Sequence, residues 1–300
     1  MNVLKTANHH WWPKTLSKFW KAEADGCSSW LRPDGRVQRT PPVNLGVIGN
    51  GHAVKLSDDP TKANSWDFSY ESEFGLADTN FPSVVDWLTS LERKRSSRFR
   101  DFGPFVEMQD PDAQIKQLLE SAVSLVVRSP MSRFHAGQVS GGFAAAEFTT
   151  NERKILIGFN MKGRQRLFAD GLNSRGKFVV LRSPDREFIF GDGFCHNLVL
   201  PSLPISPKIF VPLTPRIALL YVKPQKFYVE PRLSSLEVDA DWTEGLNLGV
   251  HVYAKDAIYF RSDQPPMTEY FSANRHGFFA SSNNAIDELV DQIPGIHCNR

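Results

Sequence analysis

Apolar positions recur along this chain at two different spacings, and the change from one to the other divides it. Val84, Val85, Leu88 and Leu91 follow Pro82 at intervals of three to four and predict a helix over about 82–94, with the proline in its first turn. A stronger pattern begins after Asp110 as N-cap and Pro111 as first helical residue: Ile115, Leu118, Leu119, Ala122 and Val126 share one face, and Pro130 ends the helix near Arg128. A glycine-rich stretch over 137–142 predicts a separator, and residues 152–172 a helix interrupted at Gly158 and Gly163.

Beyond these the pattern shortens. Phe178-Val179-Val180-Leu181, Phe188-Ile189-Phe190, Ile209-Phe210-Val211 and the run 217–222 are rich in β-branched and aromatic residues, as strands are. Ser183-Pro184-Asp185-Arg186 predicts a hairpin-like turn between the first two, and Pro212-Leu213-Thr214-Pro215 a turn between the last two. The expectation is a mostly antiparallel sheet over about 177–224. A helix around 242–257, a break at Pro265-Pro266 and an amphipathic segment near 285–290 follow. Helices before and after a sheet, not alternating with its strands, predict an α+β fold.

Residues 1–60 are punctuated by Pro33, Pro41, Pro42 and several glycines. They predict a largely irregular arm apart from a short amphipathic stretch at Leu16, Phe19 and Trp20. Trp11, Trp12, Phe19, Trp20 and Trp30 require that arm to dock on the body. The organisation expected is one elaborated domain over 1–300: the arm at 1–60, a mainly helical part at 61–172, and the sheet with C-terminal helices at 173–300.

Composition narrows the class. An apolar content of 41 %, with 22 Phe and 7 Trp, excludes a disordered tail or a collagen-like rod. Lys and Arg number 35 against 33 Asp and Glu, so no whole-molecule field holds a polyanion, and any nucleic-acid contact must be local. The dense basic run from Arg93 to Arg100 is flanked by Glu92 and Asp101 and reads as a solvated loop in preference to a phosphate-binding patch. Cys27, Cys195 and Cys298 are scattered and include no CxxC, which fits a reducing compartment. With no signal-type apolar region after the first residues and no membrane-length apolar window, the expectation is a cytoplasmic protein without a membrane partner.

Four polar segments can carry chemistry. In Asn8-His9-His10-Trp11-Trp12-Pro13-Lys14, imidazoles that titrate near neutral pH lie beside a cation, as a general acid or base requires. The competing reading, and the favoured one, has one His hydrogen-bonded in the docked arm and the other exposed. In the segment 66–74, Glu71 and Glu73 share a face if the backbone is extended and can then bind a divalent ion such as Mg²⁺ or Mn²⁺; a helical backbone separates them. Arg128, Arg133 and His135 follow the strongest helix and can clamp a phosphate or carboxylate, or satisfy helix-end carbonyls instead. Asp192, between Gly191 and Gly193 at the end of an apolar strand and followed by His196 and Asn197, has the form of a strand-end functional carboxylate, acting on a metal or on a histidine. No GxGxxG after a strand, Walker A motif, GxSxG or HExxH occurs, which removes the common nucleotide-cofactor, P-loop, α/β-hydrolase and zincin readings.

Taken in order, His9-His10-Trp11-Trp12-Pro13, Arg128-Ser129-Pro130, Phe188-Ile189-Phe190-Gly191-Asp192, Phe210-Val211-Pro212-Leu213-Thr214-Pro215 and Leu246-Asn247 resemble a mainly bacterial domain-of-unknown-function family that opens with a His-His-x-x-Pro motif. The chain departs from that pattern at Trp11-Trp12, where the family has Tyr-Val, and at Asp192-Gly193-Phe194, where it has Asp-Asn-Pro, as a divergent member would. The resemblance implies that His9, His10, Arg128, Asp192 and Asn247 are brought together by folding. A histidine base, an arginine anion clamp and a metal-holding or orienting Asp are parts of a phosphodiesterase. The expectation is therefore a stand-alone hydrolase of nuclease type acting on RNA or DNA, with Lys14, Arg133, His135, Asn197 and Asn247 on the substrate. The rival is a non-catalytic module with an aromatic pocket for a peptide or small ligand.

Overall fold

A computed structural model describes residues 8–49, 51–54, 68–91, 106–107, 112–143, 148–172, 176–196, 208–223, 229, 232–274 and 285–293. Among them the strands in chain order are β1 (Asn8–His10), β2 (Ser28–Leu31), β3 (Val37–Thr40), β4 (Val47–Gly49), β5 (Ala53–Val54), β6 (Phe68–Ser69), β7 (Val106–Glu107), β8 (Lys177–Arg182), β9 (Phe190–Gly191), β10 (Cys195–His196), β11 (Lys208–Thr214), β12 (Ile217–Val222), β13 (Leu233–Glu237) and β14 (Ile258–Phe260). The helices are α1 (Lys14–Ser17), α2 (Ser72–Ser90), α3 (Asp112–Arg128), α4 (Pro130–Phe143), α5 (Thr150–Leu172), α6 (Ala240–Tyr253), α7 (Glu269–Ser272) and α8 (Ala285–Gln292). The fold is α+β.

Its centre is a six-stranded sheet in the order β10-β11-β12-β8-β13-β7, antiparallel at every pairing except the parallel β13–β8. Side chains alternate across the pleat, and here both faces are covered. Phe178, Val180, Leu219 and Tyr221 join a core with Phe74, Phe81 and Leu88 of α2 and Leu118, Leu119 and Ala122 of α3. Val179, Leu181, Leu220 and Val222 join a second core with Leu246 and Val250 of α6 and Ile286 and Leu289 of α8. Burial on both sides is why these strands read as unbroken apolar runs rather than as an alternation.

The N-terminal arm is more regular than its prolines and glycines suggest. The hairpin of β2 and β3 turns at Gly35, with φ +82°, and enters a four-stranded sheet of order β3-β2-β14-β9. There Leu31 pairs with Ile258, and Ile258 in turn with Gly191. These partners lie far apart in sequence, so local pattern carries no trace of the pairing. The arm docks through aromatic rings: Trp12 stacks on Phe190 at 3.9 Å, Phe190 on Tyr259 at 4.6 Å, and the Trp20 indole N–H donates to the Leu213 carbonyl at 3.2 Å.

Other boundaries differ from the sequence expectation for local reasons. Helix α2 begins at Ser72 and holds Pro82 in its interior, because Phe74, Ala77 and Phe81 extend the buried stripe upstream. The residues 110–111 expected to start α3 lie outside the described set, but its end at Arg128 stands. Ser129 then caps α4, its hydroxyl accepting from the Ser132 N–H at 3.2 Å with Pro130 in the first helical position, so the glycines of 137–142 are helical. Helix α5 runs unbroken through Gly158 and Gly163 behind a reciprocal Thr149–Glu152 capping box.

The turn at 183–186 leads out of the six-stranded sheet into β9 of the other sheet and makes no hairpin. Residues 212–214 remain inside β11, with a register shift between Pro212 and Thr214. Helix α6, capped by Asp239 on the Trp242 N–H at 2.9 Å, ends at Tyr253 because the next residues lead into β14. Helix α8 forms where the amphipathic segment was expected.

Candidate functional site

The polar cluster of the chain lies where the arm meets the helices. Strand β1 pairs with β4, placing His9 opposite Ile48 and His10 opposite Val47. The chain then turns through Gly51 and His52 into β5, and β6 leads into the N-terminus of α2 at Glu71. From the other side, the corner between α3 and α4 contributes Arg128 and Arg133.

The imidazoles are ordered by backbone. The His52 Nδ1 is bound to the Glu71 carboxylate, and the His52 backbone N–H donates to His9 Nδ1 at 3.2 Å. His9 Nε2 lies 4.0 Å from Glu71 Oε2. His10 Nδ1 lies 3.3 Å from the Leu45 carbonyl; a carbonyl only accepts, so Nδ1 carries the proton and the neutral ring keeps its lone pair on Nε2. His9 and His52 are buried, whereas His10 is partly exposed and Glu71 half-exposed.

Two guanidiniums hold the arm. Arg128, fully buried, makes a two-pronged contact with Asp78, lies 5.5 Å over the Phe74 ring and reaches the His10 carbonyl at 3.5 Å. Arg133 donates to the Gly51 carbonyl, which also accepts the Tyr70 hydroxyl at 2.9 Å. Tyr70 fits because α5 has a glycine beneath it: a Cβ on Gly158 would lie 2.6 Å from the Tyr70 ring.

The charges follow from burial and pairing. Burial lowers the His52 pKa against the pull of Glu71, and burial likewise lowers that of His9. Burial also lowers the His10 pKa, opposed by the Leu45 hydrogen bond and assisted by Lys14. For Glu71, burial pushes upward, but the His52 hydrogen bond and the charges of His52, His9 and Arg128 outweigh it and hold the carboxyl below its usual range. At neutral pH the cluster is a carboxylate facing three neutral imidazoles. Burial raises the Tyr70 pKa, so it stays a phenol donor.

Of the residues singled out from sequence, His9, His10 and Glu71 converge here. Arg128 and Arg133 stand behind them, and exposed Lys14 acts electrostatically on His10. Arg128 is not an anion clamp: its guanidinium is buried on Asp78. Glu73 does not pair with Glu71, because the segment is helical there. It faces Lys162 at 2.7 Å and Arg166 at 3.0 Å instead.

Asp192 does not join the cluster either. Its carboxylate accepts the backbone N–H groups of Lys255 at 2.6 Å and Asp256 at 2.9 Å, closing the connection from α6 to β14. Asn247 bridges the Ile189 N–H and the Glu187 carbonyl at 3.1 and 2.9 Å, a backbone staple rather than a substrate contact. His135 lies edge-on to Phe134 at 5.6 Å, and Asn197 lies outside the described residues. Among the described residues no group of three or more His, Cys, Asp or Glu is arranged to hold a metal ion, so the expected set of Asp192, Glu71 and Glu73 does not fit one.

Sequence reasoning missed His52, whose signal was the preceding Gly51, the same glycine-beside-polar-residue pattern that drew attention to Asp192. It also left Tyr70 and Asp78 without roles. Of the arm's aromatic residues, Trp11, Trp12 and Trp20 are at most 2 % exposed and belong to the core. Trp30 lines an open groove of about 480 Å³ with Arg32, Asp34 and Asp256. Among the described residues no helix is long and apolar enough to cross a membrane. Comparison of the chain with protein-family models, with curated proteins and with solved structures finds no match.

Proposed function

We propose that the cluster at the arm–helix junction is the acid–base centre of a hydrolase, of phosphodiesterase type acting on RNA or DNA, with His10 as its base. The observation that carries this reading is the state of the His10 ring. With Nδ1–H directed at the Leu45 carbonyl, the Nε2 of this partly exposed residue keeps its lone pair, and its lowered pKa keeps it neutral at pH 7. His9 is unsuited to that role, because its Nδ1 already accepts the His52 N–H. In the reaction, His10 Nε2 takes a proton from the attacking water as the water oxygen bonds to phosphorus. The ester P–O bond breaks, and the same proton passes to the leaving oxygen. Lys14, exposed on α1 beside His10, supplies the local positive charge that a near-neutral molecule needs to hold a phosphate.

Cleavage of labelled RNA, single-stranded DNA and duplex DNA, with and without Mg²⁺ or Mn²⁺, tests this. Substitution His10→Ala is expected to lower the rate by about 10²–10⁴-fold, the ordinary worth of a positioned base. Asp192→Asn, outside the cluster, is expected to retain activity when folded. A folded wild-type protein that cleaves none of the three substrates, or a His10→Ala variant as active as wild type, overturns the reading.

A further inference from the structure

If His10 is the base, the neighbouring His9 needs another role, and the peptide bond between Gly51 and His52 supplies one. Its carbonyl oxygen accepts two donors, the Tyr70 hydroxyl at 2.9 Å and the Arg133 guanidinium, while its N–H points at His9 Nδ1 at 3.2 Å. The two ends of a peptide group are conjugated, so a positive charge and a hydroxyl drawing on the oxygen strengthen the N–H as a donor. A nitrogen that accepts a hydrogen bond is unprotonated, which leaves the single proton of neutral His9 on Nε2. An imidazolium would set N–H against N–H.

We propose that Tyr70 and Arg133, acting through the Gly51–His52 peptide, lock His9 in its Nε2–H tautomer and make it a fixed hydrogen-bond donor for a substrate hydroxyl or water oxygen beside Glu71. The geometry on the far side of the ring fits this. Nε2 and Glu71 Oε2 are 4.0 Å apart, too far for a hydrogen bond to each other. One oxygen about 2.8 Å from each fits between them, accepting from His9 and donating to Glu71. His52, bound to the same carboxylate, holds Glu71 ionised and so able to accept. Tyr70 and Arg133 are thus positioning residues: both are bonded to the Gly51 carbonyl, and the Arg133 charge also disfavours a protonated His9. The glycine at 158 belongs to the same device, since it gives the Tyr70 ring its place against α5.

The role toward substrate rests on the hydrolase reading; the tautomer does not. Long-range proton–nitrogen correlation spectra of the uniformly ¹⁵N-labelled full chain at pH 7, with His9 assigned by comparison with His9→Ala, read the tautomer directly. The expected result is an unprotonated Nδ1 and a protonated Nε2 in wild type. In Tyr70→Phe and in Arg133→Gln both resonances are expected to shift toward the tautomer-averaged position. A wild-type His9 that is protonated at Nδ1 or doubly protonated overturns the proposal whether or not the variants fold, and so do folded variants whose His9 resonances match wild type. A locked Nε2–H in a protein that cleaves nothing keeps the lock and discards the hydrolase. Cleavage by a protein with His9 protonated at Nδ1 does the reverse.

Discussion

A buried ionisable side chain must be paired, hydrogen-bonded or neutral, and three residues of this chain show the three solutions. Arg128 is paired, bidentate with Asp78. His52 is neutral, its pKa lowered by burial although Glu71 opposes the shift. Asp192 is hydrogen-bonded, yet burial still raises its pKa to about 6 against the amides of Lys255 and Asp256. A folded-state pKa above the unfolded value of about 3.9 means that the protonated form is favoured by folding. This contribution is fully present below about pH 4 and is lost as pH rises through 6, with a ceiling of about 3 kcal/mol. In urea unfolding at pH 4.5 and pH 7, wild type is therefore expected to gain stability on acidification relative to Asp192→Asn, which has no proton to take up. A difference between the two proteins that stays constant with pH contradicts the burial of this carboxyl as described.

Among the elements, α5 separates two uses of glycine that look identical in the sequence. Both Gly158 and Gly163 lie inside the helix, where alanine is intrinsically better by about 1 kcal/mol. At Gly163 nothing lies within 4 Å of an added Cβ, so Gly163→Ala is expected to stabilise by about 0.5–1 kcal/mol. At Gly158 the same methyl meets the Tyr70 ring at 2.6 and 3.1 Å. Overpacking of that kind costs about 1–3 kcal/mol and outweighs the propensity gain, so Gly158→Ala is expected to destabilise. Chemical denaturation of the pair decides: equal stabilisation by both substitutions leaves Tyr70 with no packing role against α5. Reading either glycine as a helix break was an error of period, because the capping box at Thr149 and the buried stripe through Met161, Gln165, Ala169 and Leu172 outweigh two isolated glycines.

At the scale of the molecule, the two hydrophobic cores share the six-stranded sheet as a common wall, and the arm enters the first through Trp12 and Trp20, packed on Phe190, and the second through Leu31. Trp12 is fully buried between the arm and Phe190. Removing its side chain in Trp12→Ala is expected to cost about 3–5 kcal/mol. Because the cores share a wall, that loss is expected to move one cooperative transition rather than split it, with tryptophan fluorescence and far-ultraviolet ellipticity changing together. Fluorescence that changes first, while ellipticity persists, would mean that the arm detaches as a unit of its own.

The α+β class, the C-terminal end of α3, the place of α8 and the long strands β8, β11 and β12 were legible in the sequence because each depends on a local period, a breaking proline or a short apolar run. The pairing of β1 with β4 and the joining of β2 and β9 by β14 were not, because their partners are remote in the chain, whereas the β2–β3 hairpin and the interior place of Pro82 are local features hidden by the prolines and glycines around them. The candidate site divides in the same way. His9, His10 and Glu71 were visible by residue type. Asp192 and Asn247 have equally suggestive types, but tertiary contacts hand their polar atoms to nearby backbone. Whether Glu71 shares a face with Glu73 turned on one backbone conformation, and Arg128 became an anchor only when Asp78 met it in space. The sequence by itself determined which polar residues were available and which segments had helical or extended character. The tertiary structure alone decided which polar groups meet, since hydrogen bonds and ion pairs depend on distance in space, and only folding sets that.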